Sequence, residues 1–75
     1  MPRYFFEVEN EEALFEDSEG AVYADDEAAV KGAQRLADDL LEQGGEFIGA
    51  ILTVFNEAHV KIAIFTIRPP NERLQ

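Results

Sequence analysis

The 75-residue chain contains no cysteine and no tryptophan, one serine, one histidine, and 6 basic residues against 16 acidic ones. Without cysteine, neither a disulfide framework nor a zinc-thiolate site can reinforce a thin core, and nothing marks an oxidising compartment. Stability has to come from packing. Nucleophilic catalysis needs a thiol or hydroxyl beside a base, and Ser18 and His59 are poor material for a triad. Affinity for nucleic acid or anionic lipid comes mostly from Lys and Arg neutralising phosphates. Here Arg3, Lys31, Arg35, Lys61, Arg68 and Arg73 are scattered and outnumbered, so direct binding to nucleic acid or to membrane is not expected. The longest nearly apolar stretch, Phe47 to Phe55, is far short of the roughly 20 residues that span a bilayer, and Met1 to Glu7 lacks the apolar core of a signal peptide. The chain is therefore expected to be soluble and cytoplasmic.

Acidic groups at Asp17 and Glu19, Asp25 and Asp26, and Asp38, Asp39 and Glu42 lack the spaced ligands of a calcium loop. Gly44-Gly45 closes a helix, whereas phosphate-binding glycines open one. No metal, cofactor or catalytic residue is expected, and the chain reads as non-enzymatic. Its formal charge of −10 still leaves a use for the carboxylates: they can face a basic protein partner, or imitate nucleic acid towards a protein that binds it.

What is present is enough to fold. A hydrophobic fraction of 47% and an aromatic fraction of 11% are too high for a disordered tail, and the length fits one domain over residues 1–75, with 70–75 as a frayed tail. Residues 3–9 alternate, with Tyr4, Phe6 and Val8 on one parity and Arg3, Phe5, Glu7 and Glu9 on the other, the period of a half-buried strand. Asn10-Glu11-Glu12 is a turn, and Ala13 to Glu16 returns as a second strand until Asp17-Ser18-Glu19-Gly20 breaks it. Residues 21–24 either continue that strand past a bulge or add a short third one.

Asp25 occupies a helix N-cap position, with Asp26 and Glu27 in the first turn beside the exposed amides. Ala29, Val30, Ala33, Leu36, Ala37, Leu40 and Leu41 recur at spacings of three and four, which predicts an amphipathic helix over 26–43 ended by Gly44-Gly45. Gly32, mid-helix, costs about 1 kcal/mol relative to Ala and points to a close approach between the helix backbone and the sheet. Phe47 to Phe55 and Val60 to Ile67 read as two more strands joined by Asn56-Glu57-Ala58-His59, where a residue of positive φ is often required and His tolerates it. Pro69-Pro70 ends the last strand. The fold class is α+β: an antiparallel sheet with one helix packed on one face, order ββαββ, with a further short strand before the helix left open.

The last hairpin is apolar on both sides in either register. A three-residue loop groups Leu52, Val54, Ile62 and Ile64 against Ile51, Thr53, Phe55, Lys61, Ala63, Phe65 and Ile67. A four-residue loop groups Ile51, Thr53, Phe55, Val60, Ile62 and Ile64 against Ala50, Leu52, Val54, Lys61, Ala63 and Phe65. One helix covers one face, and each fully buried Phe or Ile is worth about 1.5 to 3 kcal/mol relative to exposure. A second copy is the economical cover, since a two-fold contact needs only a self-complementary patch. The expectation is a homo-oligomer, a dimer first, centred on Phe5, Ile51, Phe55, Phe65 and Ile67.

The run Pro2-Arg3-Tyr4-Phe5-Phe6-Glu7-Val8, then Asp17-Ser18-Glu19-Gly20, Asp25 with Ala28-Ala29, and the Leu36-Ala37…Leu40-Leu41 helix resemble a family of short bacterial proteins of unknown function, over almost the whole chain. That resemblance implies the ββαββ order and carries no activity, cofactor or functional residue. A weaker likeness, to partial ribonuclease-H-like antitoxin domains with their Tyr-containing first strand and acidic-capped helix, implies the alternative role of an acidic inhibitor of a basic protein.

Overall fold

The period of two at the start of the chain becomes strand β1, Arg3–Glu9, with Tyr4 and Val8 buried. In this computed structural model, which describes residues 2–43 and 45–68, the elements that follow are β2 (Leu14–Glu16), β3 (Ala21–Val22), α1 (Asp26–Leu41), β4 (Ile51–Phe55) and β5 (Lys61–Thr66). The architecture is α+β, with one helix and an antiparallel sheet of five strands in the order β2-β1-β4-β5, β3 also pairing β1. The helix comes after three strands, so the order is βββαββ. The extra short strand exists because residues 17–20 leave the sheet after Glu16 pairs Glu7, and the chain rejoins the beginning of β1 with Ala21 opposite Tyr4 and Val22 opposite Arg3.

Side-chain oxygens of Asn and Asp organise the turns by accepting from nearby amides, as these residues do when they compete with regular structure. Asn10 accepts from Glu12 and Ala13, and Asp17 from Glu19 and Gly20. Asp25 caps α1 by accepting from the Ala28 amide at 2.9 Å. Asn56 accepts from Ala58 and Val60, both at 2.9 Å, and holds His59 in the left-handed region at φ 64°. The helix ends at Leu41 with Glu42 as its C-cap, two residues before the expected stop, and Gly45 follows at φ 80°. Gly44 and the tail from Pro69 onward, including its expected fraying, lie outside the described residues. Residues 47–49, expected in a strand, instead form turns closed by Ile48 N–H to Gly45 O and Ala50 N–H to Phe47 O, with Gly49 at φ 90°.

The core lies between α1 and one face of the sheet. Ala29, Ala33 and Ala37 form its helical wall, small enough for a close approach, and Tyr4, Val8, Ala50, Leu52, Val54 and Ile67 fill it from below. Leu36, Leu40 and Leu41 pack around it, as the helical spacing predicts. Gly32 does mark a close approach, but to a ring rather than to the sheet backbone. A Cβ there would lie 2.7 Å from Cζ and 2.8 Å from Cε1 of Tyr23, whose ring in turn meets Tyr4 edge-on and stacks on Phe6, both at 6.0 Å.

The β4–β5 register corrects the proposed patch. Leu52 lies opposite Phe65, Thr53 opposite Ile64 and Val54 opposite Ala63, and a bulge then brings Phe55 opposite Lys61. Apart from the bulge, this is the four-residue-loop grouping. Phe65 therefore packs against the core and Ile67 is 1% exposed within it, so neither belongs to the helix-free face. A slip of one residue transfers every side chain of a strand to the other face.

Candidate binding cleft on the helix-free face

The register lays the helix-free face out in rows across the strands. One row runs Leu14, Glu9, Ile51, Thr66, the next Glu16, Glu7, Thr53, Ile64, and the third Phe5, Phe55, Lys61. The face is consequently divided rather than uniformly apolar. Its β4–β5 half keeps Ile51 at 39% and Ile64 at 57% exposure, while three glutamates stand among the residues of its β1–β2 half.

Where the 17–20 excursion and the β4–β5 loop rise above β1, the face deepens into a cleft of about 340 Å³. Its aromatic wall is Phe5 and Phe55, directly opposite each other on neighbouring strands, with the His59 ring stacked on Phe5 at 5.7 Å and 21°. The left-handed backbone that Asn56 stabilises at His59 is what carries the imidazole there. Glu7, Glu16, Asp17 and Ser18 complete the lining with Phe6. The excursion sits tightly against β1 because Gly20, at φ 72°, has no side chain: a Cβ would lie 2.6 Å from the Tyr4 carbonyl oxygen and 2.9 Å from the Phe5 ring.

The electrostatics of the cleft are one-sided. Glu7 and Glu16 face each other across β1 and β2, a like-charge arrangement that destabilises an antiparallel pair. Among the described residues neither is neutralised by an ion pair. Asp17 adds a third carboxylate, one oxygen of which serves the Glu19 and Gly20 amides. Two cations of the same face sit apart from the pair: Lys61 is on β5, across Phe55, and Arg3 donates to the Glu19 carbonyl oxygen at 2.8 Å. Away from the cleft, the Tyr4 hydroxyl donates to Asp26 Oδ1 at 2.6 Å and ties the first turn of α1 to the sheet. That hydrogen bond, then burial, then the charges of Asp26, Asp25 and Glu57 push the phenol pKa up to about 12.

The expected interface residues are thus divided three ways. Ile51 stays exposed on the helix-free face, Phe5 and Phe55 wall the cleft, and Phe65 and Ile67 lie on the helix side. Ser18 and His59, far apart in sequence, line the same cleft, and no hydrogen bond joins them. Among the described residues no group of three His, Cys, Asp or Glu side chains could hold a metal ion, and no helix is long and apolar enough to cross a membrane.

A single helix over one face of an antiparallel sheet, with an acidic cleft on the other, defines a small α+β domain of the helix-on-sheet kind. Residues 3–68 match DUF6894, a domain of unknown function, and the chain belongs to that family. No curated protein and no solved structure matches it. The family brings no activity and no functional residue, so a functional reading rests on the geometry of this face.

Proposed function

We propose that the chain is a non-catalytic, cytoplasmic interaction domain that self-associates through the β4–β5 half of its helix-free face. The observation that carries this reading is the exposure of Ile51 and Ile64 on a face that α1 does not cover, with Phe55 beside them. Covering such side chains is favourable by about 1.5 to 3 kcal/mol for each one fully buried, and a two-fold axis counts each of them twice. With Phe65 packed against the core and Ile67 within it, the patch is smaller than the sequence suggests, so the dimer is a weak one that forms with rising concentration. Each chain brings a formal charge of −10, and added salt should tighten the contact by screening the repulsion.

Sedimentation equilibrium over a range of concentration and salt tests this. The expected result is a monomer–dimer equilibrium that shifts to dimer with salt and is lost in the Ile51→Glu, Ile64→Glu double variant. A wild-type chain that stays monomeric at high concentration, or a dimer that salt disperses, would sink the reading.

A further inference from the structure

The cleft on β1 has a composition that selects a ligand by its chemistry. Phe5 and Phe55, on directly opposed backbone positions, line the cleft together with the His59 imidazole stacked on Phe5, and organic cations are attracted to aromatic groups of this kind. Glu7 and Glu16, directly opposite each other and without an ion pair among the described residues, supply acceptors whose mutual repulsion a bound positive charge would relieve. A planar guanidinium meets both demands, stacking on the rings while its N–H groups reach the carboxylates, whereas an ammonium is a more strongly hydrated point charge. The cleft is partly open to solvent, so a free small molecule would keep more of its surface wet there than in a dedicated pocket. It suits one side chain of a larger partner whose remaining basic residues lie near a surface of strong negative charge.

We infer that the cleft between Phe5, Phe55, Glu7 and Glu16 receives the guanidinium of an arginine presented by a basic protein partner. The cleft adjoins the β4–β5 patch and shares Phe55 with it, but its other lining residues lie on β1, β2 and the loops, and its proposed ligand is not a second copy of the chain.

The probe is a short capped peptide with one central arginine, titrated into the full chain while backbone amide resonances are followed by NMR. Three comparison ligands accompany it: the same peptide with citrulline, the same peptide with lysine, and free agmatine. The expected result is saturable shifts at Phe5, Glu7, Glu16, Phe55 and His59, binding about tenfold weaker for citrulline, weaker for lysine, and affinity that falls as salt rises. The Glu7→Gln, Glu16→Gln double variant should lose about tenfold in affinity for the arginine peptide while keeping the wild-type circular dichroism spectrum. Equal binding of arginine and citrulline peptides, full affinity in the double variant, or shifts mapping to other residues would overturn the inference. Agmatine binding as tightly as the peptide would overturn its assignment to a protein partner. Because salt weakens this contact and strengthens self-association, failure of one is distinguishable from failure of the other.

Discussion

Glu7 and Glu16 stand directly opposite each other on β1 and β2, two carboxylates on one face with no ion pair to either among the described residues. Like charges in this position cost an antiparallel pair roughly 0.2 to 1 kcal/mol. Replacing either glutamate by glutamine should therefore stabilise the free domain by an amount in that range, with little further gain from replacing both. Chemical denaturation of the two single variants and the double variant, at low and at high salt, measures it. The gain should shrink as salt screens the pair. A loss of stability in both single variants would mean that the carboxylates make favourable contacts and that the cleft is not electrostatically frustrated.

Tyr4 joins the sheet to the first turn of α1 through its hydrogen bond to Asp26, and its phenol pKa is raised from 10.0 to about 12. The unfolded chain would lose this proton near the ordinary tyrosine value, about 10. The stabilisation from this group is accordingly complete below about pH 10 and disappears as pH climbs through about 12, because the unfolded state then releases the proton more readily than the native one. Denaturation midpoints measured between about pH 8 and about pH 11 should show a loss of stability that is smaller in Tyr4→Phe, a variant already less stable at neutral pH. Spectrophotometric titration should show a tyrosine ionisation well above the ordinary value that is missing in Tyr4→Phe. An ordinary ionisation of Tyr4 would contradict its hydrogen bond to Asp26.

Local signals in this chain were legible wherever a residue acts on its own backbone. Asp25 caps the helix, His59 takes positive φ in the last loop, and the Ala and Leu spacing of α1 gives its buried stripe, all as side-chain and backbone chemistry dictates. The failures come from register, a relation between distant residues. Phe65 and Ile67 could be assigned to a face only by knowing how many residues the 56–60 turn consumes, and the bulge at Val54/Phe55 adds an offset that alternation alone does not encode. The cleft was missed for the same reason. Its walls come from β1, β4, the 17–20 excursion and the final loop, and only pairing brings Phe55 to Phe5 and Glu16 to Glu7. One signal was available: the parity of β1 puts Phe5 with Glu7 and Glu9 on the outer face, so that face could not be uniformly apolar.

Gly32 offers a test of helix-to-sheet packing that runs against ordinary helix propensity. On an exposed helix, Gly→Ala is stabilising by about 1 kcal/mol. Here the new methyl would press on the Tyr23 ring, and that ring is itself held between α1 and the Tyr4 and Phe6 side chains. The expected outcome is a destabilisation of about 1 to 3 kcal/mol, the usual cost of overpacking. Tyr23→Leu removes the obstructing ring, so the second step, Gly32→Ala in the Tyr23→Leu background, should be neutral or stabilising. The two effects therefore couple, as contacting residues do in a double-mutant cycle. Denaturant titrations of the four proteins give the coupling energy directly. Additive effects would show that Tyr23 does not sit over Gly32, and the glycine would then need another explanation.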